Sequence, residues 1–153
     1  MNGAAGLCFL IYTGMLARED IKTGNISLLL TAAGAFCGLL LTACRIMSGA
    51  DSAGTVLLPR LAALLWGLGL LMLSRLTRGA MGKGDGICFC SFACWWDAAE
   101  LFGLLLVSLL LSAAGGTALL LLKRKKIRES LPFLPFVFAA SVILYALSFF
   151  REV

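Results

Sequence analysis

Two aspartates, Asp20 and Asp85, are the residues of this chain best suited to chemistry. Each closes a basic or glycine-rich segment where an apolar stretch meets a loop. The second lies in Met81-Gly82-Lys83-Gly84-Asp85-Gly86, a local Gly-x-Gly-Asp pattern. Ionisable groups at the edge of a membrane span are costly to desolvate, and they commonly mark function or pair with a partner. Two carboxylates that share one proton are the minimum machinery of an aspartic peptidase. The ionised member deprotonates a water as it attacks an amide carbonyl, and the protonated member donates to the developing oxyanion. Such a pair titrates as a unit, so the spacing assigns neither role.

Gly82, Gly84 and Gly86 suit that chemistry, because glycine lets a peptide substrate approach the main chain closely. Plainer roles stand beside it. Gly-Lys-Gly-Asp-Gly also reads as a turn, with Asp85 capping the helix that follows. Asp20 also reads as a solvated charge in Arg18-Glu19-Asp20-Ile21-Lys22. Glu19, its nearest rival, points about 100° away on a helix. A phosphate loop is excluded, since it would need glycine in place of Thr77 and a hydroxyl in place of Gly84. The dinucleotide fingerprint fails at Ile87, where its last glycine would fall.

The elements that must position these groups are apolar. The 153 residues are 61% hydrophobic and 14% charged, with no histidine, where a soluble domain carries about a quarter charged residues. With about 20 apolar residues needed per crossing, the expected fold is all-α: a single integral-membrane domain over 1–153 with about six transmembrane helices. The predicted spans are 3–19, 26–47, 55–74, 85–99, 101–122 and 131–150. Asp97 and Glu100 interrupt the fourth, so spans four and five also read as a short helical hairpin turning near Trp95-Trp96-Asp97. The two tryptophans suit a membrane–water interface.

With the N-terminus outside, the inner side holds Arg18, Lys22, Arg75, Arg78, Lys83, Lys123, Arg124, Lys125, Lys126 and Arg128, and the outer side Arg45, Arg60 and Arg151. That excess of inner Lys and Arg sets the orientation and places Asp20 and Asp85 on the cytosolic side. The net charge of +5 is accounted for by topology and anionic lipid headgroups, so no nucleic-acid partner is expected. Residues 1–17 lack a leading basic residue and a small-x-small cleavage site, and read as a retained helix. Cys8, Cys37, Cys44, Cys88, Cys90 and Cys94 all fall in apolar segments, where free cysteine acts as a small hydrophobe. Without histidine or a Cys-x-x-Cys pair, no metal site and no cofactor is expected. The glycines within the spans, such as Gly34, Gly38, Gly67, Gly69, Gly115 and Gly116, read as close-packing positions.

A third block, Leu131-Pro132-Phe133-Leu134-Pro135-Phe136, opens the last span, where proline is tolerated in a first helical turn. Taken in order, Asp20-Ile21-Lys22-Thr23-Gly24-Asn25-Ile26, Gly82-Lys83-Gly84-Asp85 and this Pro-Phe-Leu-Pro-Phe block resemble the motifs of the prepilin peptidases, membrane-embedded aspartic peptidases of the Gly-x-Gly-Asp type. The resemblance covers nearly the whole chain. It implies that Asp20 and Asp85 are catalytic, and that Gly82, Gly84, Gly86, Pro132, Phe133 and Pro135 position the motif or the substrate. It further implies a multi-pass protein of the bacterial cytoplasmic membrane that needs no cofactor. Its partner would be a type IV pilin-like precursor, cut at its N-terminal leader on the cytosolic face. The chain departs from the family pattern at Ser27-Leu28, where Pro-Asn is usual, at Ile87 for lysine, and at Leu134 for glycine. The larger members' N-terminal methylating segment has no counterpart. Two alternatives follow from these departures: a related peptidase for another short-leader membrane protein, or a non-catalytic membrane scaffold on the same fold.

Overall fold

The structure, a computed structural model, describes residues 3–49, 52–76, 82–121 and 132–152. These form six helices: α1 (Gly3–Thr23), α2 (Leu28–Met47), α3 (Ala53–Leu76), α4 (Lys83–Phe92), α5 (Ala98–Leu121) and α6 (Leu134–Glu152). There is no strand among the described residues, as the all-α expectation requires. Arg78, Met81, the Lys123–Arg128 cluster and Leu131 lie outside the described residues.

Three helices, α2, α3 and α5, are long and apolar enough to cross a membrane. The other three predicted spans do not reach that measure. The C-terminal end of α1 carries Arg18, Glu19, Asp20 and Lys22, and the apolar part of α6 is the shorter stretch Leu134–Ser148. The predicted span 85–99 is replaced by a helix of 10 residues. At 1.5 Å per residue that is about 15 Å, half the thickness of a bilayer core. The reason is local. The chain turns after Phe92, and the Asp97 carboxylate accepts the Glu100 N–H at 3.0 Å, which caps a new helix. Between α4 and α5 the chain turns through Ala93-Cys94-Trp95-Trp96.

The chain divides into two compact units, Asn25–Gly103 and the pairing of Met1–Gly24 with Leu104–Val153. In the first of these, α4 packs between stripes of small residues on α2 and α3. The buried positions of α2 are Thr31, Gly34, Gly38 and Thr42. Those of α3 are Ala63, Gly67, Leu70 and Ser74. Both series follow the helical repeat and let backbones approach closely. Gly67 faces Cys90, and Gly86 faces Leu71, so α3 and α4 run antiparallel. Thr31 meets Cys88 and Ser91, and Gly38 meets Trp95, so α2 and α4 run parallel.

Polar groups close the same interface. The Ser91 hydroxyl donates to the Thr31 carbonyl at 3.1 Å. The Trp95 indole N–H donates to the Gly34 carbonyl at 2.9 Å. Trp95 is buried, with its indole N–H bonded inside the protein. Beyond the end of α4, Thr42 donates to the Cys94 carbonyl at 3.4 Å, and Arg60 donates to the Trp95 carbonyl and to the Thr42 hydroxyl. Carbonyls left over at a helix end need such partners.

In the other unit, α1 and α6 run antiparallel, with Gly3 near Tyr145 and Gly14 near Phe138. Phe9, Tyr12, Thr13, Leu16, Ala17 and Asp20 form the buried stripe of α1. Leu134, Val137, Ala140 and Ser141 form that of α6. Gly115 of α5 lies against Phe136.

A Cβ at residue 67 would sit 2.6 Å from the Cys90 backbone nitrogen, whereas one at residue 69 meets nothing within 4 Å. Gly67→Ala is therefore expected to destabilise the protein by about 1–3 kcal/mol through overpacking, and Gly69→Ala to leave it unchanged or slightly more stable. Unfolding in lipid–detergent mixtures, followed by tryptophan fluorescence, compares the two. Equal effects would refute the close α3–α4 contact.

Candidate active site

The last turn of α1 fixes Asp20. The helix ends at Gly24, whose φ of +61° is the left-handed conformation glycine adopts without strain. Its N–H donates to the Asp20 carbonyl at 2.9 Å, a helix-ending bond of the αL type. The side chain of Asp20 continues the buried stripe of Phe9, Thr13 and Leu16, and only 9% of the residue is exposed. Ile21 turns outward instead, with 64% exposure.

A buried carboxylate needs donors, and the entry of α6 supplies them. The Leu134 N–H donates to Asp20 Oδ2 at 3.1 Å, and the Phe133 N–H is a second backbone donor to the same carboxylate. Phe133 stands where a helix normally carries Ser, Thr, Asp or Asn to cap its own first turn. Its carbonyl starts the helix by accepting from the Phe136 N–H at 3.0 Å. Pro132 and Pro135 have no N–H to satisfy. Asp20 thus acts as the cap of α6 from another helix, at the end where the helix dipole favours an anion. Burial pushes the Asp20 carboxyl above its ordinary value of 3.8, while the Leu134 and Phe133 N–H groups pull the other way.

Asp85 has a different setting. Gly82 precedes α4 in an extended conformation, with φ −59° and ψ 127°. The Asp85 N–H donates to the Gly82 carbonyl at 3.2 Å. Asp85 is the third residue of α4 and its first-turn acid. Its carboxylate folds back over Gly82, where a Cβ would stand 2.9 Å from Oδ2. Asp85 is half-buried. This is a helix-start carboxylate of the kind a capping box uses.

Gly84 meets the side chain of Ile26, and a Cβ at 84 would stand 2.5 Å from Ile26 Cδ1. Ile26 is held just ahead of α2 by Ser27, which accepts the Leu30 N–H at 3.4 Å as the N-cap. The first motif block therefore ends against the second. Gly86 serves another purpose, the close approach of Leu71 on α3.

The structure thus brings Asp20 together with Phe133 and Leu134, Asp85 with Gly82, and Gly84 with Ile26. Asp20 and Asp85 belong to different units. Pro132 and Pro135 shape the α6 entry by withholding donors. Sequence reasoning missed the Ile26–Gly84 contact and the donors of Phe133 and Leu134. The second was signalled by a helix start bracketed by prolines with no capping side chain of its own. Comparison of the chain with family models, curated proteins and solved structures found no match.

The raised carboxyl of Asp20 has a sign. The folded state holds this proton more tightly than the unfolded chain, so the group's contribution to stability is greatest below about pH 4 and is lost as pH rises through its raised pKa. Asp20→Asn keeps an acceptor for Leu134 without the charge, and should lose less stability than the wild type between acid and neutral pH. Asp20→Ala removes the cap and should cost about 1–2 kcal/mol even at acid pH. Thermal unfolding in nanodiscs across a pH series measures both. Parallel curves for all three proteins would contradict the assignment.

Proposed function

We propose that the chain is an aspartic endopeptidase of the prepilin leader peptidase type, with Asp20 and Asp85 as its catalytic pair. The observation that carries this reading is the seating of Ile26 on Gly84. Ile26 ends the block that Asp20 begins, and Gly84 immediately precedes Asp85. Further support comes from the third block, whose peptide groups hold Asp20.

In the proposed reaction, one aspartate in its ionised form takes a proton from water as the oxygen attacks the scissile carbonyl. The other, protonated, donates to the oxyanion. Collapse breaks the C–N bond, and the departing amine leaves with a proton from the pair. The proposed substrate is a pilin-like precursor whose apolar segment lies in the lipid bilayer beside the enzyme. Its short leader is cut at the cytosolic face of the bacterial inner membrane. The proposed topology follows the Lys and Arg count, with the N-terminus outside. Neither metal nor cofactor has a part in this chemistry.

A specific observation favours a second reading, a non-catalytic membrane scaffold. Both carboxylates already do structural work, Asp20 as the cap of α6 and Asp85 at the first turn of α4. A related peptidase acting on another short-leader protein is compatible with the departures at Ser27, Leu28, Ile87 and Leu134.

Asp20→Asn and Asp85→Asn, each co-expressed with a panel of short-leader precursors, separate these readings. For the peptidase, the wild type trims a precursor, seen as a new N-terminus by mass spectrometry. Either substitution lowers the rate by about 100-fold or more, the scale of lost acid–base catalysis, with the protein still in the membrane. Undiminished trimming by either variant would rule out the pair. Absence of trimming by the wild type across the panel would favour the scaffold.

A further inference from the structure

We propose that the entry of α6 belongs to the acid–base machinery of Asp20. The peptide N–H groups of Phe133 and Leu134 hold its carboxylate in one orientation and favour its ionised form, and Pro135 is the positioning residue that confines the donors to those two. The proposal deepens the peptidase reading, since it rests on Asp20 being one of the two groups that exchange protons with the substrate.

The argument is an accounting of donors. Residues 132–136 contain five peptide nitrogens. Pro132 and Pro135 carry no hydrogen. The Phe136 N–H is used within the helix, on the Phe133 carbonyl. Phe133 and Leu134 remain, and both donate to Asp20. The carboxylate is thus fixed by two adjacent main-chain groups, which do not change rotamer. Hydrogen bonds to the ionised form of an acid favour that form, and burial opposes them. Burial outweighs the two donors, so the carboxyl stays above its ordinary value, and a change in the number of donors moves it up or down.

Among the described residues of this unit, the charges nearest Asp20 are those of its own helix, while Lys123, Arg124, Lys125, Lys126, Arg128 and Glu129 lie outside the described residues. On α1 itself, Arg18, Glu19 and Lys22 flank Asp20 in sequence, and Arg18 and Lys22 lie off the buried stripe. On α6, the charged residues are Arg151 and Glu152, in the last turn, away from the entry. The part of α5 in the same unit, from Leu104 to Leu121, contains no charged residue.

Pro135→Ala supplies a third N–H in the first turn of α6. Replacement of Leu134 by its α-hydroxy acid turns one amide into an ester and removes a donor while keeping the side chain. The two changes push the proton affinity of Asp20 in opposite directions. The readout is the carboxylic C=O stretching band in the infrared, assigned by its loss in Asp20→Asn and titrated with the protein in nanodiscs. The titration midpoint is expected to fall by about half a pH unit or more in Pro135→Ala, and to rise by a similar step in the ester, as expected when one donor to the charged form is gained or lost.

A midpoint unmoved in the ester would overturn the proposal, and so would shifts of the same sign in both variants. If Pro135→Ala does not fold, the ester alone decides. The band titrates whether or not the protein cuts a precursor. Failure of the peptidase reading therefore shows as absent cleavage with the shifts intact, and failure of this proposal shows as static midpoints.

Discussion

The contact between the Asp20 carboxylate and the first turn of α6 is the constraint around which one half of the molecule is organised. A helix start leaves N–H groups without intrahelical partners, and in an apolar setting each must be satisfied. The α6 entry has no side chain able to do this, so it depends on an acid that another helix presents on its buried face. The same contact offsets part of the cost of burying that acid. Each partner solves the other's problem, and neither arrangement is stable alone.

The other half solves a different problem with small residues. Helix α4 is too short to bridge a bilayer, and the carbonyls of Cys94 and Trp95 just beyond its end are covered by Thr42 and Arg60 from its two neighbours. Close approach is possible because Gly67 and Gly86 have no side chains at the α3–α4 contact. Gly38 does the same for Trp95. A serine and an indole then bond to α2 carbonyls at the interface. Interhelical hydrogen bonds and small residues are the usual means of holding apolar helices together when lipid is as apolar as leucine. Seating Ile26 on Gly84 ties the start of α2 to the first turn of α4, which carries the second aspartate.

Much of this was legible in the sequence, for physical reasons. Apolar composition and glycine-rich spans announce an all-helical bundle. Asp97 and Glu100, placed three apart after two tryptophans, announce the turn that ends α4. The length of α4 was harder to read, because an apolar run continues through Ala93-Cys94-Trp95-Trp96 and hydropathy alone does not see a turn. The burial of Trp95 was equally hard to read. An indole suits an interface on average, but here the Gly34 carbonyl gives its N–H a partner inside the protein. The site was legible as residues and not as contacts. Asp20, Asp85 and the proline block stand out by type and spacing. That Asp20 would bond to peptide groups more than a hundred positions away depends on tertiary packing, which no local pattern encodes.

The order of synthesis adds a consequence. The helix bearing Asp20 leaves the ribosome well before its capping target at Leu134, which follows 114 positions later. Until the entry of α6 has been made, the acid lacks these two donors. Contacts of such long sequence separation form late and slowly. The unit that pairs α1 with α6 is therefore completed only when α6 arrives, and a nascent chain stalled before it exposes an apolar stripe with an acid at its tip.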